Sequence, residues 1–138
     1  KAHRLRPFGI YVDADIDATQ WFLNDKEDVR SSYYLEHVAT EFHIQGLELD
    51  WTCVAWDGNF RFENGGWSYN QFSGKKWNKI RSEEKMTYLK NTYRVLLTRA
   101  RQGMVIFVPK GDDKDHTRKH KFYDETFQYL KSIGIKEL

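Results

Sequence analysis

Across residues 83–101, apolar side chains recur at spacings of three and four: Met86, Leu89, Tyr93, Leu96, Leu97 and Ala100. This is the period of a helix face turned toward a core, and it predicts the longest helix of the chain, stopped by Gly103. A second helix is predicted over residues 117–133, with Phe122, Tyr123, Phe127 and Leu130 inward and Gly134 at its end. Elsewhere the pattern is that of strands. Residues 9–12 read as a short strand. Residues 34–42 read as another, broken by the Gln45-Gly46 turn and resumed over 49–56, and 105–108 as a buried strand closed by Pro109. Phe60, Phe62, Trp67 and Tyr69 alternate around Asn64-Gly65-Gly66, a hairpin signal because Asn-Gly accepts the positive φ values of a tight turn. Residues 13–18 form an acidic loop overlapping a weak helix signal at 15–22, while 24–32 and 110–121 are polar loops. Strands alternating with helices predict a layered α/β domain in which 57–82 is an insertion.

The 138 residues suit one domain with a real core, and 16% aromatic content argues against disorder. Basic and acidic side chains nearly balance, 22 against 20, so bulk charge does not argue for nucleic acid and only a local patch could. Cys53 has no partner for an intrachain disulfide and is expected to be a buried, inert thiol in a reducing, cytoplasmic setting. No apolar run approaches the roughly 18 residues of a bilayer span, and no secretory signal opens the chain, so no membrane association is expected. The opening Lys1 to Pro7, without an initiator Met, reads as a helix tail stopped by proline and the chain as a fragment of a longer polypeptide.

Two segments some fifty residues apart carry candidate chemistry. The first runs from Thr40 to Asp50 and contains Gln45-Gly46-Leu47-Glu48; the second is Tyr93-Arg94-Val95-Leu96-Leu97-Thr98-Arg99-Ala100-Arg101. Gly46 permits a tight turn that lets main-chain groups approach a ligand. Arginine suits phosphate chemistry because its planar fork stays charged and binds two oxygens. On a helix alone, Arg99 reads first as a solvated cation near a C-terminus, where the dipole favours it.

Together the two segments resemble the fifth and sixth motifs of the second RecA-like domain of superfamily 1 helicases. More narrowly, they resemble the helicase-like domain grouped with the Schlafen family (group 3), found in bacterial proteins. The resemblance implies a three-layer RecA-like (P-loop NTPase-type) α/β fold with a mainly parallel sheet and an inserted β-hairpin. It places Arg99 as the catalytic arginine finger on the γ-phosphate. It makes Gln45, Gly46, Glu48 and Thr98 nucleotide-side residues, with Glu48 at the ribose or γ-phosphate side, and sets Thr40 on the nucleic-acid backbone. The implied cofactor is ATP with Mg²⁺, held mainly by an N-terminal RecA-like domain of the same parent chain, and the implied substrate is DNA or RNA. Phe42 and Arg94 depart from the broader superfamily pattern, where His or Asp and Tyr are usual.

No G-x-x-x-x-G-K-[ST] phosphate loop occurs in the sequence, so the chain alone is expected not to turn over ATP. Asp57, after an apolar strand, reads as a turn residue. His116 and His120 with Asp112, Asp113 and Asp115 lack compact ligand spacing, as do His37 and His43, and no metal site is assigned. Trp51, Trp56, Trp67 and Trp77 with the hairpin aromatics read as packing or as a stacking surface. Lys75, Lys76, Lys79 and Arg81 beside Trp77 make the best local nucleic-acid patch, with Lys75, Lys76 and Trp77 as its candidates. Two rival readings stand beside the ATPase module: a non-catalytic nucleic-acid or protein-binding module using this hairpin, and a purely structural α/β domain.

Overall fold

The computed structural model describes residues 3–12 and 15–138. The chain divides into two compact units. One comprises the described residues of Lys1–Thr52 with Tyr93–Met104, and the other Cys53–Thr92 with Val105–Leu138. Three α-helices and five strands are formed among the described residues: α1 (Ala18–Leu23), β1 (Leu49–Ala55), β2 (Phe60–Glu63), β3 (Gly66–Ser73), β4 (Lys76–Lys79), α2 (Glu83–Leu97), β5 (Ala100–Phe107) and α3 (Asp124–Ser132). β1 and β5 pair in parallel: the Leu49 N–H donates to the Arg99 carbonyl at 2.9 Å and the Trp56 N–H to the Phe107 carbonyl at 2.8 Å. β2, β3 and β4 form an antiparallel meander. The fold is mixed α/β, with one small parallel sheet and one antiparallel sheet.

In the first unit, Asp17 caps α1 by accepting from the Thr19 and Gln20 N–H groups, and Trp21 is buried with its indole N–H on the His37 carbonyl at 3.1 Å. The expected strand at 9–12 reduces to one parallel bridge, Val12 to Val38, following a 3-10 segment over His3–Phe8. That segment contains Pro7 and replaces the predicted helix tail; Lys1 and Ala2 lie outside the described residues, as do Asp13 and Ala14 of the acidic loop. The strand expected at 34–42 is also absent. A 3-10 turn at Ser32–Tyr34 ends on Leu35 in the left-handed region (φ 56°), and the chain then curls so that the Thr40 N–H reaches His43 Nδ1 at 3.0 Å. Local turns have taken the backbone groups that a strand would need to share with a neighbour.

The second unit holds the aromatic core. Asn64 (φ 53°) and Gly65 (φ 76°) turn the β2–β3 hairpin, both with positive φ as the mirror-image tight turn demands. Phe60 lies on Trp67 at 4.4 Å, Trp56 on Trp67 at 5.9 Å, and Phe62 on Tyr129 of α3 at 4.3 Å. Thr126, fully buried, accepts the Phe62 N–H at 2.9 Å and so ties α3 to β2. The hairpin aromatics are thus largely packing residues. The helix expected from residue 117 begins only at Asp124, preceded by a 3-10 turn at His120–Phe122.

Two further expectations fail for identifiable reasons. α2 does not run to Arg101 but ends at Leu97, where the Thr98 hydroxyl donates to the Arg94 carbonyl at 2.7 Å and β1 recruits the following backbone into β5. Gly103 is therefore a strand residue. It is small because the Trp51 ring lies where its Cβ would sit. Cys53 is exposed rather than buried, because alternation along β1 turns Val54 inward and Cys53 outward. Partial desolvation still raises its thiol above the ordinary value, which keeps it protonated at neutral pH.

Candidate functional site

The two motif segments meet at the leading ends of β1 and β5. Ile44 is buried and anchors a turn closed by the Leu47 N–H on the Ile44 carbonyl at 3.1 Å, with Gly46 at φ 84° as its third residue. A turn with positive φ at that position favours glycine. The turn delivers Leu47 and Glu48 directly into β1. On the other segment, Thr98 and Arg99 form the two-residue connection from α2 to β5, so Arg99 is placed by strand pairing rather than by a helix face.

Arg99 is half-buried. Its Nη1 donates to the Leu47 carbonyl at 3.4 Å and its Nη2 to the Thr98 hydroxyl at 3.3 Å, both long. Its Nε is enclosed and, among the described residues, has no hydrogen-bond partner. A guanidinium carries five donors, so this one is held in place yet under-used. Glu48 is exposed; its nearest cation is Arg101, Nε to Oε2 at 3.8 Å, an exposed pair that contributes little and leaves the carboxylate available. Gln45 and Gly46 are exposed on the turn, and Thr98 is exposed beside Arg99. Thr40 lies one turn earlier, with its hydroxyl 3.1 Å from His43 Nδ1. Arg101, in β5 and within reach of Glu48, is the neighbour that sequence reasoning passed over.

In the second unit the basic hairpin residues take different positions. Lys75 and Lys76 are exposed at the β3–β4 turn, while Trp77 is half-buried with its indole N–H on the Thr117 carbonyl at 2.7 Å. His116 Nε2 donates to the Lys75 carbonyl at 2.9 Å. Arg61 was not anticipated: it is buried, with Nε on the Gly58 carbonyl at 2.7 Å and its guanidinium 3.9 Å over Phe122. The 112–118 loop is closed by Arg118, which pairs with Asp112 at 3.1 Å and Asp115 at 2.9 Å. The Thr117 N–H and hydroxyl, followed by Arg118, hold the Asp115 carboxyl below the usual carboxylate range. No cluster of three or more potential metal ligands occurs among the described residues. Asp57 is buried and accepts from the Gly58 N–H at 2.8 Å, as a turn residue does. No helix among the described residues is long and apolar enough to cross a membrane.

The family model described as Schlafen group 3, DNA/RNA helicase domain, matches residues 7–110, about three-quarters of the chain and including both motif segments. No curated protein and no solved structure gives a significant match.

Proposed function

The chain belongs to the Schlafen group 3 DNA/RNA helicase domain family, and from that premise we propose that it is the second RecA-like domain of an ATP-driven helicase or translocase of superfamily 1 type. In this reading the pieces belong to a three-layer domain, and the parent acts in the cytoplasm. The edge carrying Glu48 and Arg99 faces an N-terminal RecA-like domain of the same parent chain, which holds most of ATP and its Mg²⁺. The supporting observation is the meeting of two segments fifty residues apart at the starts of paired parallel strands, with the Arg99 guanidinium on the Leu47 carbonyl at 3.4 Å.

The donor set fits a triphosphate. Arg99 has an enclosed Nε without a partner and two long bonds, so an anionic oxygen would gain more from it than its present acceptors do. Bound ATP would supply the phosphoryl group and its Mg²⁺ the charge neutralisation. Arg99 would stabilise charge on the γ-phosphate as bridging bonds lengthen, supported by Thr98 through the contact at Nη2. Gln45 and Gly46 would offer backbone groups at close approach, and Glu48 would take the ribose or the γ-phosphate side. Thr40, Lys75, Lys76 and Trp77 are the residues we assign to nucleic acid. Coupling between closure on nucleotide and movement along a strand would follow the usual logic of interdomain sites.

The test is ATP hydrolysis by the full-length parent, with and without nucleic acid. Arg99→Ala should lower turnover about 10³-fold or more while the thermal midpoint stays put. Unchanged turnover removes the finger assignment.

A further inference from the structure

The second unit contains a basic concavity that neither motif segment touches. We propose that it holds the phosphodiester backbone of a single nucleic-acid strand. The concavity has a volume of about 370 Å³, and its lining includes Lys76 and Lys79 from β4, Lys119 and Lys121 from the segment after the 112–118 loop, and Arg61 from β2. Against these five cations the lining offers one carboxylate, Glu63, which lies 4.0 Å from Lys79. The chain as a whole is nearly neutral, so this is a local concentration of positive charge.

The floor is rigid. Arg61 is buried, fixed by the Gly58 carbonyl and seated over Phe122 at 3.9 Å and Trp77 at 5.0 Å. The two walls, forty residues apart in sequence, are tied by the Trp77 indole on the Thr117 carbonyl and by His116 on the Lys75 carbonyl. The backbones that carry lysines on opposite walls are therefore held together without help from a ligand.

The chemistry selects a polyanion over a single phosphate group. Lysines are mobile point charges, and no glycine-rich loop presents backbone N–H groups here, so the site is built for distributed charge. The aromatic floor is engaged with Arg61, and the strand is gripped by its backbone rather than by stacked bases. Half of this lysine set lies beyond residue 110, where the family match ends, so the site is not a property of the matched segment. The inference rests on the nucleic-acid half of the function proposed above and is independent of ATP hydrolysis.

The experiment is fluorescence anisotropy of the 138-residue chain with labelled oligodeoxythymidine and oligouridine of about 20 nucleotides, titrated at several salt concentrations. Four lysine–phosphate contacts predict a log–log salt slope near −3, or roughly fifty-fold weaker binding between 50 and 200 mM salt. Both strands should bind alike. The paired changes Lys119→Ala and Lys121→Ala should flatten the slope by about 1.4, whereas Lys136→Ala should leave it unchanged. In the unaltered chain, bound oligonucleotide should protect Lys76, Lys79, Lys119 and Lys121 from acetylation, a readout that does not depend on any variant folding. Absence of binding, an unchanged slope in the double variant, unprotected lysines, or equal affinity for polyglutamate would each overturn the proposal. Loss of turnover on Arg99→Ala with no strand binding here would leave the ATPase reading standing and sink this one.

Discussion

The paired starts of β1 and β5 and the hairpin packed on α3 are made in opposite ways. At the first, polar groups are placed but barely satisfied: Arg99 makes two bonds beyond 3.2 Å, its Nε has no described partner, and Glu48 meets Arg101 only at 3.8 Å. At the second, nearly every large side chain is matched, with Phe60, Trp67, Phe62 and Tyr129 in mutual contact and Thr126 saturating a strand N–H. Donors left short of good acceptors are available to a ligand, while saturated packing gives stability. The difference leaves unmet hydrogen-bonding capacity at the two-motif edge and saturated packing in the aromatic hairpin, which is the contrast the proposed function draws on.

The sharpest way to break this contrast is at Arg99. If the proposed function holds, Arg99→Ala should cost three or more orders of magnitude in ATP turnover by the full-length protein and almost nothing in folding, because the bonds it loses are long. Phe60→Ala should do the reverse, removing about 3–5 kcal/mol from the unfolding free energy of the chain in a denaturant titration. If Phe60→Ala proved harmless, the hairpin aromatics would be a surface after all. Thr126→Val is subtler: it keeps the volume but strands the Phe62 N–H, and should cost about 1–3 kcal/mol by the same measurement. Next comes the loss of strand affinity on removing Lys119 and Lys121, read as the salt slope already described.

The smallest effect is at Asp115. Its carboxyl sits below the usual range because the Thr117 N–H and hydroxyl and Arg118 favour the charged form. A lowered folded value means the stabilisation is present at neutral pH and is lost as pH falls below about 4, through the folded value. Because Asp115 is more than a third exposed, the loss should be small. A carboxyl titration by NMR showing Asp115 at or above the ordinary value would contradict the loop geometry.

Elements with strictly local causes were legible. The Asn64-Gly65 turn follows from the φ values those residues tolerate, strand 49–55 from its apolar run, and the body of α2 from its stripe through Met86, Leu89 and Tyr93. What escaped was settled by partners distant in the chain. The Thr98 hydroxyl closes the last turn of α2 locally, but it is β1, by pairing with the residues that follow, that keeps the helix from running on to Arg101. Residues 34–42 alternate well enough for a strand, but Leu35 and the Thr40–His43 contact commit the backbone elsewhere. Arg61, Lys119 and Lys121 were not singled out, because their shared surface joins segments about sixty residues apart.

The sequence by itself determined which residue types were on hand: a glycine turn beside a carboxylate, an arginine after a threonine, an aromatic hairpin, and membership in a helicase-domain family. Only the tertiary structure decided that Arg99 is a connecting residue with donors to spare and that half of the lysines around Trp77 come from beyond the hairpin. The reason is physical. Turn preferences and helical periodicity act over a few bonds, whereas the partner a guanidinium or ammonium finally meets depends on how strands far apart in the chain are brought together.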